Sequence, residues 1–345
     1  MDELGMSKTA IWVAAARAIG AREADASVRN PDHLAEPLLG DPAQLVLQHP
    51  VVDALGIGYD EAMQNTEVAD TVRAMIERTR FIDDVLERAI ASGVTQVLIP
   101  GAGLDSHAYR FSEMLTPVTV FEVDRPAMLE FKRGRVDEAL GGPPSNVRYV
   151  PIDVQDQEMS DVLRQHGYDI SKRTLVILEG VTMYVPEDAV RRLFQFVASH
   201  APGSGIVFDF ASSAIVESIR AIDPVSIPPV ARPPVERLLN MLKDEPWVFG
   251  FALGGETEFL AGVGLHADEV LTLDSDESVR RYLTRADGTV VGAETHAKSE
   301  AMRKAALLHS ATGMSAEERV AIEERMQEQR RQMAYRIAEA SVPGH

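Results

Sequence analysis

Residues 94–103 read VTQVLIPGAG, a run of apolar and β-branched residues that ends in two glycines. A short run of this kind bounded by glycine predicts a buried β-strand. The Gly101-Ala102-Gly103 turn lets the backbone turn tightly and expose amide N–H groups to a ligand. A dinucleotide fingerprint requires a third glycine where this chain has Ser106. The motif by itself therefore fits either a ligand loop or a plain strand-to-helix turn.

The same alternation continues along the next hundred residues, where β-rich runs are separated by helical patterns. The β-rich runs lie at 94–100, 118–123, 147–152, 174–178 and 205–210, and the helical patterns between them at 126–140, 156–166 and 187–200. Strands that alternate with helices form right-handed βαβ units around a mainly parallel sheet. We therefore predict an α/β fold with helices on both faces of the sheet.

Outside this core the pattern changes. The apolar spacing of residues 61–92 predicts a long helix. The proline-rich stretch 222–239 breaks the alternation and predicts an insertion over the sheet. Residues 269–273 and 288–294 are candidate late strands, and the charged stretch 315–340 predicts a long C-terminal helix.

These patterns divide the chain into five predicted parts. They are an N-terminal helical cover (1–92), an α/β core (93–211), a lid or substrate insertion (212–265), the last strands of the core (266–298) and a C-terminal helical extension (299–345). In the last part, apolar residues recur among the charges at Val320, Met326, Met333 and Ile337. Near-heptad spacing predicts that this helix packs on the core or forms a homodimer.

Composition limits the classes of function. The chain has 53 acidic and 34 basic residues and a formal net charge of −19, which argues against nucleic acid or an anionic membrane surface as a partner. It has no cysteine, which excludes disulfides, Cys-ligated zinc and a cysteine nucleophile. No apolar run approaches the length of a membrane span, and the N-terminus lacks a basic signal-peptide region. We expect a cytoplasmic protein with no membrane span and no metal centre.

Four successive strand ends carry a glycine turn or a carboxylate. These are Gly101 and Gly103 after the first run, then Asp124, Asp153 and Glu179 after the second, third and fourth. Ligands of open α/β sheets bind beside such strand ends, so these residues predict one site. Asp124 fits a ribose contact or a helix cap, and Asp153 fits an adenine contact or a cap. Glu179 ends a central strand, where a carboxylate is costly unless it faces a ligand or a cation.

These residues carry a family resemblance. The segments VLIPGAGLDSHAYRF (97–111), FEVDRPAMLEFKR (121–133) and LEGVTMYVPEDAV (178–190) resemble the glycine-loop, second-strand and fourth-strand motifs of the leucine carboxyl methyltransferase family. ERTRFIDD (77–84) resembles its A-R-T-R-x-x-D-D helix, and SKTA (7–10) resembles the start of its N-terminal helix. The resemblance implies a class I methyltransferase fold, Rossmann-like, with a seven-stranded sheet whose last strand is antiparallel. It also implies S-adenosylmethionine as the cofactor, bound by the core at 93–211.

The resemblance further implies a role for each matching position. Arg78 matches an arginine that binds the cofactor's methionine carboxylate, and Glu179 matches the acid near the methionine amino group. Gly101 and Gly103 match the loop that contacts the cofactor, and Asp124 matches the residue that binds the ribose. Asp153 and Val154 match the adenine site, and Lys8 matches a basic residue that contacts the cofactor. Pro100, Ser106 and His107 depart from the family's usual Leu, Thr and Arg. Arg78 and Arg80 lie two apart on a helix and cannot face the same way. With Arg78 in the cleft, Arg80 is solvated or paired with Asp83 or Asp84.

The methyl acceptor is the least constrained part of the prediction. A carboxylate acceptor is already ionised at pH 7, whereas a hydroxyl would profit from a base, and no histidine of this chain is placed for that task. The aromatic residues at 247–251 either form a wall of the acceptor site or pack in the core. Arg232 either pairs with a carboxylate of the acceptor or is solvated at the surface. Tyr184 follows Glu179 at the exit of its strand, and these two are our candidate catalytic residues.

We predict an S-adenosylmethionine-dependent O-methyltransferase that acts on a carboxylate or hydroxyl of a small, polyketide-like secondary metabolite. The first alternative is a protein or peptide C-terminal carboxyl methyltransferase. A degenerate cofactor-binding protein that acts as a partner or scaffold is a second, against which the intact strand-end residues argue. A dinucleotide oxidoreductase is a third, disfavoured by Ser106.

Overall fold

One seven-stranded sheet organises the chain. The computed structural model describes residues 7–41, 47–152, 159–223, 227, 232–310 and 334–344. The strands are β1 (Gln96–Pro100), β2 (Thr119–Asp124), β3 (Val147–Pro151), β4 (Thr174–Leu178), β5 (Gly205–Ala211), β6 (His266–Thr272) and β7 (Tyr335–Ser341). They lie in the order β3-β2-β1-β4-β5-β7-β6, and β7 is antiparallel to both of its neighbours. The predicted seven-stranded, mainly parallel sheet with an antiparallel last strand is confirmed.

Helices surround this sheet. They are α1 (Lys8–Gly20), α2 (Ala35–Leu39), α3 (Pro50–Asp53), α4 (Tyr59–Ala62), α5 (Thr66–Ala91), α6 (His107–Arg110), α7 (Pro126–Leu140), α8 (Met159–Gln165), α9 (Glu187–Ala198), α10 (Ser213–Arg220), α11 (Arg232–Leu242), α12 (Glu256–Gly262), α13 (Asp276–Ser278) and α14 (Ala293–Ser310). Short 3₁₀ turns lie at Ala54–Gly56 and Thr182–Tyr184, and a π-helical turn lies at Val279–Leu283.

Local sequence explains where the long helices begin and end. Asn65 caps α5, because its side chain accepts hydrogen bonds from the N–H groups of Glu67 and Val68. The helix runs for 26 residues and is followed by Gly93, whose φ of 94° suits glycine. Pro126 occupies the first turn of α7, where its missing N–H costs nothing.

Both faces of the sheet are covered, because successive strand residues point to opposite sides. Val97 and Ile99 of β1 belong to a core cluster with the buried residues of α1 and α5. Leu98 between them belongs to a second cluster, which contains Phe194 of α9 and Phe208 of β5. The predicted helices on both faces are confirmed.

The carboxyl ends of the parallel strands meet at one edge of the sheet. Because β7 runs the opposite way, its first residue, Tyr335, lies at this same edge and pairs with Ala211 at the end of β5. The edge therefore collects residues from the start of β7 as well as from the ends of the other strands.

Two predicted elements are wrong. The helix predicted at 315–340 is wrong at its C-terminal end, because residues 335–341 form β7, a strand that lies between β5 and β6 in the sheet. Ile337 is completely buried in the core and does not contribute to a dimer surface. The remaining residues of that prediction, including Val320, Met326 and Met333, lie outside the described residues. The strand predicted at 288–294 is instead a turn with one isolated bridge, Thr284 to Val290, before α14 begins.

Each helix in the described part of the chain is too short or too polar to serve as a transmembrane span.

Candidate active site

A cleft of about 1340 Å³ runs along the edge where the parallel strands end. One half is lined by the glycine turn at 101–103, Asp124 and Glu179, and the other by residues that include Trp247 and Asp274. β2 and β6 are five strand positions apart, so these halves extend over roughly 24 Å at a spacing of about 4.8 Å per strand. Sites for one small ligand usually have volumes of about 300–1,000 Å³. This cleft has room for two molecules side by side.

The glycine turn has a backbone that only glycine adopts without strain. Gly101 has φ 69° and Gly103 has φ 39°. A Cβ atom at Gly101 would lie 2.7 Å from Cγ2 of Val181. The N–H of Gly101 donates to the carbonyl of Val123 at 2.8 Å, which ties the turn to the end of β2.

A buried ion pair supports this turn from below. Lys132 of α7 and Glu122 of β2 are both completely buried, with Nζ and Oε1 2.9 Å apart. Lys132 Nζ also donates to the carbonyl oxygen of Ala102 at 3.2 Å. The middle of the glycine turn is therefore held by a charge that has no access to solvent.

Asp124 is fixed in position by two backbone N–H groups. Its Oδ2 accepts from Gly103 at 2.8 Å and its Oδ1 from Arg125 at 2.7 Å. Each carboxylate oxygen accepts one hydrogen bond from the described residues and has a second lone pair for a ligand, so the cap role and a ligand role are compatible. The carboxylate lies in the cleft beside the glycine turn.

Arg78 forms the centre of a buried charge network. Its Nη2 lies 2.6 Å from Glu179 Oε1 and its Nη1 lies 2.9 Å from Asp209 Oδ2. Tyr335 donates its hydroxyl to the same oxygen of Asp209, and Gly180 N–H donates to Asp209 Oδ1 at 2.6 Å. The network joins α5, the ends of β4 and β5, and the start of β7.

The pKa values of the two carboxylates in this network shift in opposite directions. Burial would raise the pKa of Glu179, but the guanidinium groups of Arg78 and Arg17 bring it below its usual value. Burial raises the pKa of Asp209, and Arg78 offsets only part of this effect. Arg17 of α1 approaches Glu179 Oε2 to 3.8 Å and donates Nη2–H to the carbonyl of Leu104 at 2.9 Å. Glu179 is therefore an ionised acid held between two arginines.

His107 lies behind the cleft and is charged. It is 1% exposed, with Nδ1 2.7 Å from Asp105 Oδ2 and Nε2 3.1 Å from Asp83 Oδ1. Burial would lower its pKa, but these carboxylates raise it to about 9. Asp105, His107 and Glu179 bring ligand-type atoms within 4.8 Å of one another. A protonated imidazole has no lone pair for a metal, so this arrangement is better described as an ion-pair cluster.

The half of the cleft beyond Glu179 has an aromatic wall. Tyr184 and Tyr335 each contact Trp247, with ring centroids 6.4 and 6.2 Å away. All three line the cleft. Phe251, by contrast, is 3% exposed and packs in the core against Phe210 at 4.8 Å. The aromatic group at 247–251 thus divides between the cleft and the core.

The structure brings most of the predicted site residues together. Arg78, Gly101, Gly103, Asp124, Glu179 and Tyr184 all line the one cleft. Asp153 and Val154 lie outside the described residues. Lys8 and Arg232 are not among the described residues that line the cleft. Lys8 pairs with Asp244 at 2.8 Å, and Arg232 donates to the carbonyl of Ile227.

The two neighbouring arginines do face different ways. The sequence predicted that Arg80 is solvated or paired with Asp83 or Asp84, whereas it donates to the carbonyl of Arg29 at 2.8 Å. Sequence reasoning also missed Arg17, Asp209 and Tyr335. For Asp209 a signal existed, because an acid inside the buried run GIVFDF requires a partner.

Comparisons with known proteins identify similar sequences. The family model described as leucine carboxyl methyltransferase matches residues 10–198. A protein of Mycobacteroides abscessus named "Putative S-adenosyl-L-methionine-dependent methyltransferase" is 34% identical over 213 residues, which are 58% of this chain and 63% of that protein. A protein with the same name from Mycobacterium tuberculosis is 34% identical over 232 residues, which are 63% of this chain and 70% of that protein. The first alignment spans less than two thirds of that relative's length.

Among solved structures, the crystal structure of a "putative methyltransferase" from Thermobifida fusca is similar over 99% of this chain and 97% of that one. The TM-score is 0.50 and the sequence identity 15%, so the likeness concerns the fold. It agrees with the predicted class I methyltransferase fold.

Proposed function

The chain belongs to the leucine carboxyl methyltransferase family, and on that premise we propose that it transfers a methyl group from S-adenosylmethionine to an oxygen of a small secondary metabolite. The acceptor oxygen is a carboxylate or a hydroxyl. The predicted family and cofactor agree with the names of the relatives. The observation that carries the proposal is the single cleft in which the Asp124 half continues into the Trp247 half.

The residues of the first half fit the cofactor. Gly101 and Asp124 line the same part of the cleft, and a Cβ at Gly101 would press against Val181 and displace the turn. We assign Asp124 to the ribose hydroxyls and Asp153 with Val154 to the adenine. S-adenosylmethionine supplies a methyl group that its sulfonium has already activated.

The ion pair of Arg78 and Glu179 suits the amino-acid end of the cofactor. That end carries an ammonium and a carboxylate, and the protein presents a carboxylate and a guanidinium 2.6 Å apart. We assign the carboxylate to Arg78 and the ammonium to Glu179. Asp209 and Tyr335 keep the guanidinium oriented while Glu179 changes partner.

The protein's task in the reaction is to bring donor and acceptor together. Displacement at the methyl group is in line, so proximity and orientation supply much of the rate enhancement. Tyr184 and Trp247 form the wall against which an apolar acceptor packs, and Met241 and Leu242 of the 212–265 insertion extend it. A carboxylate acceptor is ionised at neutral pH and needs no base.

Calorimetric titration tests the cofactor assignment. We expect S-adenosylhomocysteine and S-adenosylmethionine to bind with micromolar affinity and NAD not to bind. Binding of NAD alone would favour the oxidoreductase alternative, and binding of none of the three would leave the scaffold alternative.

Methyl transfer from radiolabelled S-adenosylmethionine tests the acceptor class. Three panels separate the alternatives: aromatic carboxylates, phenols, and peptides with a free C-terminal carboxylate. Alkali releases the label from a methyl ester as methanol but leaves an aryl methyl ether intact. Transfer to the peptides alone would overturn the small-molecule proposal.

A further inference from the structure

The buried ion pair beneath the glycine turn has no part in the assignments above. Lys132 and Glu122 are both completely buried, and Lys132 is not among the described residues that line the cleft. Replacing a buried ion pair by neutral side chains of similar volume often leaves a protein equally stable or more stable. Stability by itself therefore does not account for a lysine at this position.

The ammonium group of Lys132 is held by its surroundings in the core. Its Nζ lies 2.9 Å from Glu122 Oε1 and 5.5 Å from the centroid of the Tyr109 ring. The second oxygen of Glu122 accepts a hydrogen bond from the Tyr109 hydroxyl at 2.9 Å. The position of Nζ is therefore fixed by groups outside the glycine turn, and the bond that it donates to the Ala102 carbonyl fixes the turn in its place.

The peptide between Ala102 and Gly103 is held on both sides. Its carbonyl oxygen accepts from Lys132 Nζ at 3.2 Å and from the N–H of Asp105 at 2.7 Å. Its N–H, which belongs to Gly103, donates to Asp124 Oδ2 at 2.8 Å. The carbonyl and N–H of a planar trans peptide point in opposite directions. A group that fixes the carbonyl on the buried side therefore aims the N–H at the carboxylate on the cleft side.

Glycine makes this peptide easy to rotate unless something holds it. Gly103 has φ 39°, and glycine adopts positive and negative φ with similar ease. A hydrogen bond from a charged donor is stronger than one between neutral groups. The buried ammonium is thus suited to select one orientation of the peptide from those that Gly103 allows.

We propose that Lys132 is a positioning residue of the cofactor site, which holds the Ala102–Gly103 peptide so that the Gly103 N–H directs the Asp124 carboxylate toward the ribose hydroxyls. This inference rests on the proposed function, because it concerns the residue assigned there to the ribose. Lys132 acts only through the turn, since its side chain has no exposed surface.

A variant that neutralises both charges tests the proposal. A single replacement of Lys132 would leave Glu122 buried without its cation, which is strongly destabilising. Glu122→Gln/Lys132→Met removes both charges and approximately keeps both volumes, and thermal melts establish that it is folded. We expect it to bind S-adenosylhomocysteine roughly fivefold more weakly in calorimetry, the effect of one lost hydrogen bond. Unchanged affinity would overturn the proposal.

The same double substitution in Asp124→Ala tests whether Lys132 acts through Asp124. Residues that act through one another have non-additive effects on binding. Once the carboxylate is absent, neutralising the pair should therefore reduce the affinity by less than about twofold. An equal loss in the presence and absence of Asp124 would show that Lys132 does not act through this carboxylate, and it would contradict the proposal.

Glu256→Gln/Arg336→Met is the matched control. It neutralises another ion pair of low exposure, in which Arg336 Nη1 and Glu256 Oε1 are 2.6 Å apart. Neither residue is among the described residues that line the cleft. This control should bind S-adenosylhomocysteine like the unsubstituted chain. A loss equal to that of Glu122→Gln/Lys132→Met would show that the effect is not specific to Lys132, and it would overturn the proposal.

Amide hydrogen exchange tests the proposal in the unsubstituted chain, without cofactor. The N–H of Gly103 donates to Asp124, and the N–H of Gly101 donates to the carbonyl of Val123 at 2.8 Å and serves as the reference. If Lys132 holds the turn in advance, both amides are similarly protected before any ligand is added. Protection of the Gly103 amide that arises only on addition of S-adenosylhomocysteine would contradict the proposal. In Glu122→Gln/Lys132→Met, only the Gly103 amide should exchange faster.

The failure of this inference is distinct from the failure of the proposed function. If S-adenosylhomocysteine does not bind the unsubstituted chain, the proposed function fails. If it binds and Asp124→Ala weakens it, but Glu122→Gln/Lys132→Met does not, only the role of Lys132 is wrong.

Discussion

Arg78 and Glu179 form an ion pair in which Nη2 and Oε1 are 2.6 Å apart and both side chains are less than a tenth exposed. One comes from the long helix α5 and the other from the end of the central strand β4. Burying two charges is costly, and it is repaid only when geometry and further hydrogen bonds are good. Asp209, Tyr335 and Arg17 supply these additional partners. The fold therefore keeps two charged groups in the cleft, where they can bind a ligand, although burying them lowers the stability of the protein.

The first prediction compares Arg78→Lys with Arg80→Lys. A lysine cannot reach Glu179 and Asp209 in the way that the two-pronged guanidinium does. We expect Arg78→Lys to weaken binding of S-adenosylmethionine at least tenfold, about 1.4 kcal/mol. Within the described part of the chain, Arg80 donates only to the backbone carbonyls of Ala26 and Arg29, so Arg80→Lys should leave cofactor binding nearly unchanged. Calorimetry of both variants under one set of conditions is the measurement. The reverse order of effects would remove Arg78 from the cofactor site.

The second prediction concerns Asp124. Replacement by alanine removes the proposed ribose contact and should cost about 1–3 kcal/mol of cofactor binding. It also removes the bonds from the N–H groups of Gly103 and Arg125. Asp124→Asn is the matched control, because it retains one acceptor oxygen for those N–H groups and loses the charge. An unchanged dissociation constant in both variants would refute the ribose assignment.

The strands β1 to β4 could be predicted because each is a compact apolar run that ends at or near a glycine or an acid, and β5 because GIVFDF is a run of the same kind. β7 could not, because its residues YRIAEAS carry Arg336 and Glu339 among small residues in a charged stretch. These two charges are satisfied by distant partners, Glu256 at 2.6 Å and Arg88 at 2.5 Å. The local sequence shows the charges of Arg336 and Glu339 but not their distant partners, so the pattern of this stretch predicted a solvated helix.

The site shows the same division. Asp124 and Glu179 were predictable because they stand at the carboxyl ends of strands, where open α/β sheets bind ligands. Tyr335 and Arg17 were not, because β7 and α1 reach the cleft only through the tertiary fold. Glu77 was quoted within a motif but had no visible role, since its hydrogen bond from the backbone N–H of Asp274 forms only in the tertiary fold.

The third prediction concerns Gly101. An alanine there would adopt φ 69° and place its Cβ 2.7 Å from Val181 Cγ2. The backbone alone should cost about 1–3 kcal/mol of stability, and displacement of the turn should also weaken cofactor binding. Gly141→Ala is the control, because φ there is 75° and a Cβ would meet nothing within 4 Å. It should reproduce the loss of stability without the loss of binding.

A double variant separates the two causes in Gly101→Ala. Val181→Ala removes the atom that the new Cβ would meet, so the double variant should regain binding but not the stability lost to the backbone. Urea unfolding and calorimetry measure the two quantities. If Val181→Ala restores nothing, the contact between these side chains does not position the turn.

The last prediction concerns the pH dependence of stability and rests on His107. Asp105 and Asp83 raise its pKa from 6.5 in the unfolded chain to about 9 in the folded one. A raised pKa means that the folded state binds the proton more tightly, so the contribution is fully present below pH 6.5 and is lost as the pH rises through about 9. A shift of this size corresponds to on the order of 3 kcal/mol. His107→Gln cannot carry the charge, so the difference in free energy of unfolding between the two proteins should be largest near pH 6 and shrink toward pH 10. Urea titrations of both proteins at each pH measure this difference, and other groups that titrate in the range, such as His296, cancel in the comparison. A difference that stays constant or grows with pH would show that His107 is neutral in the folded protein, and the ion-pair cluster behind the cleft would then have to be assigned differently.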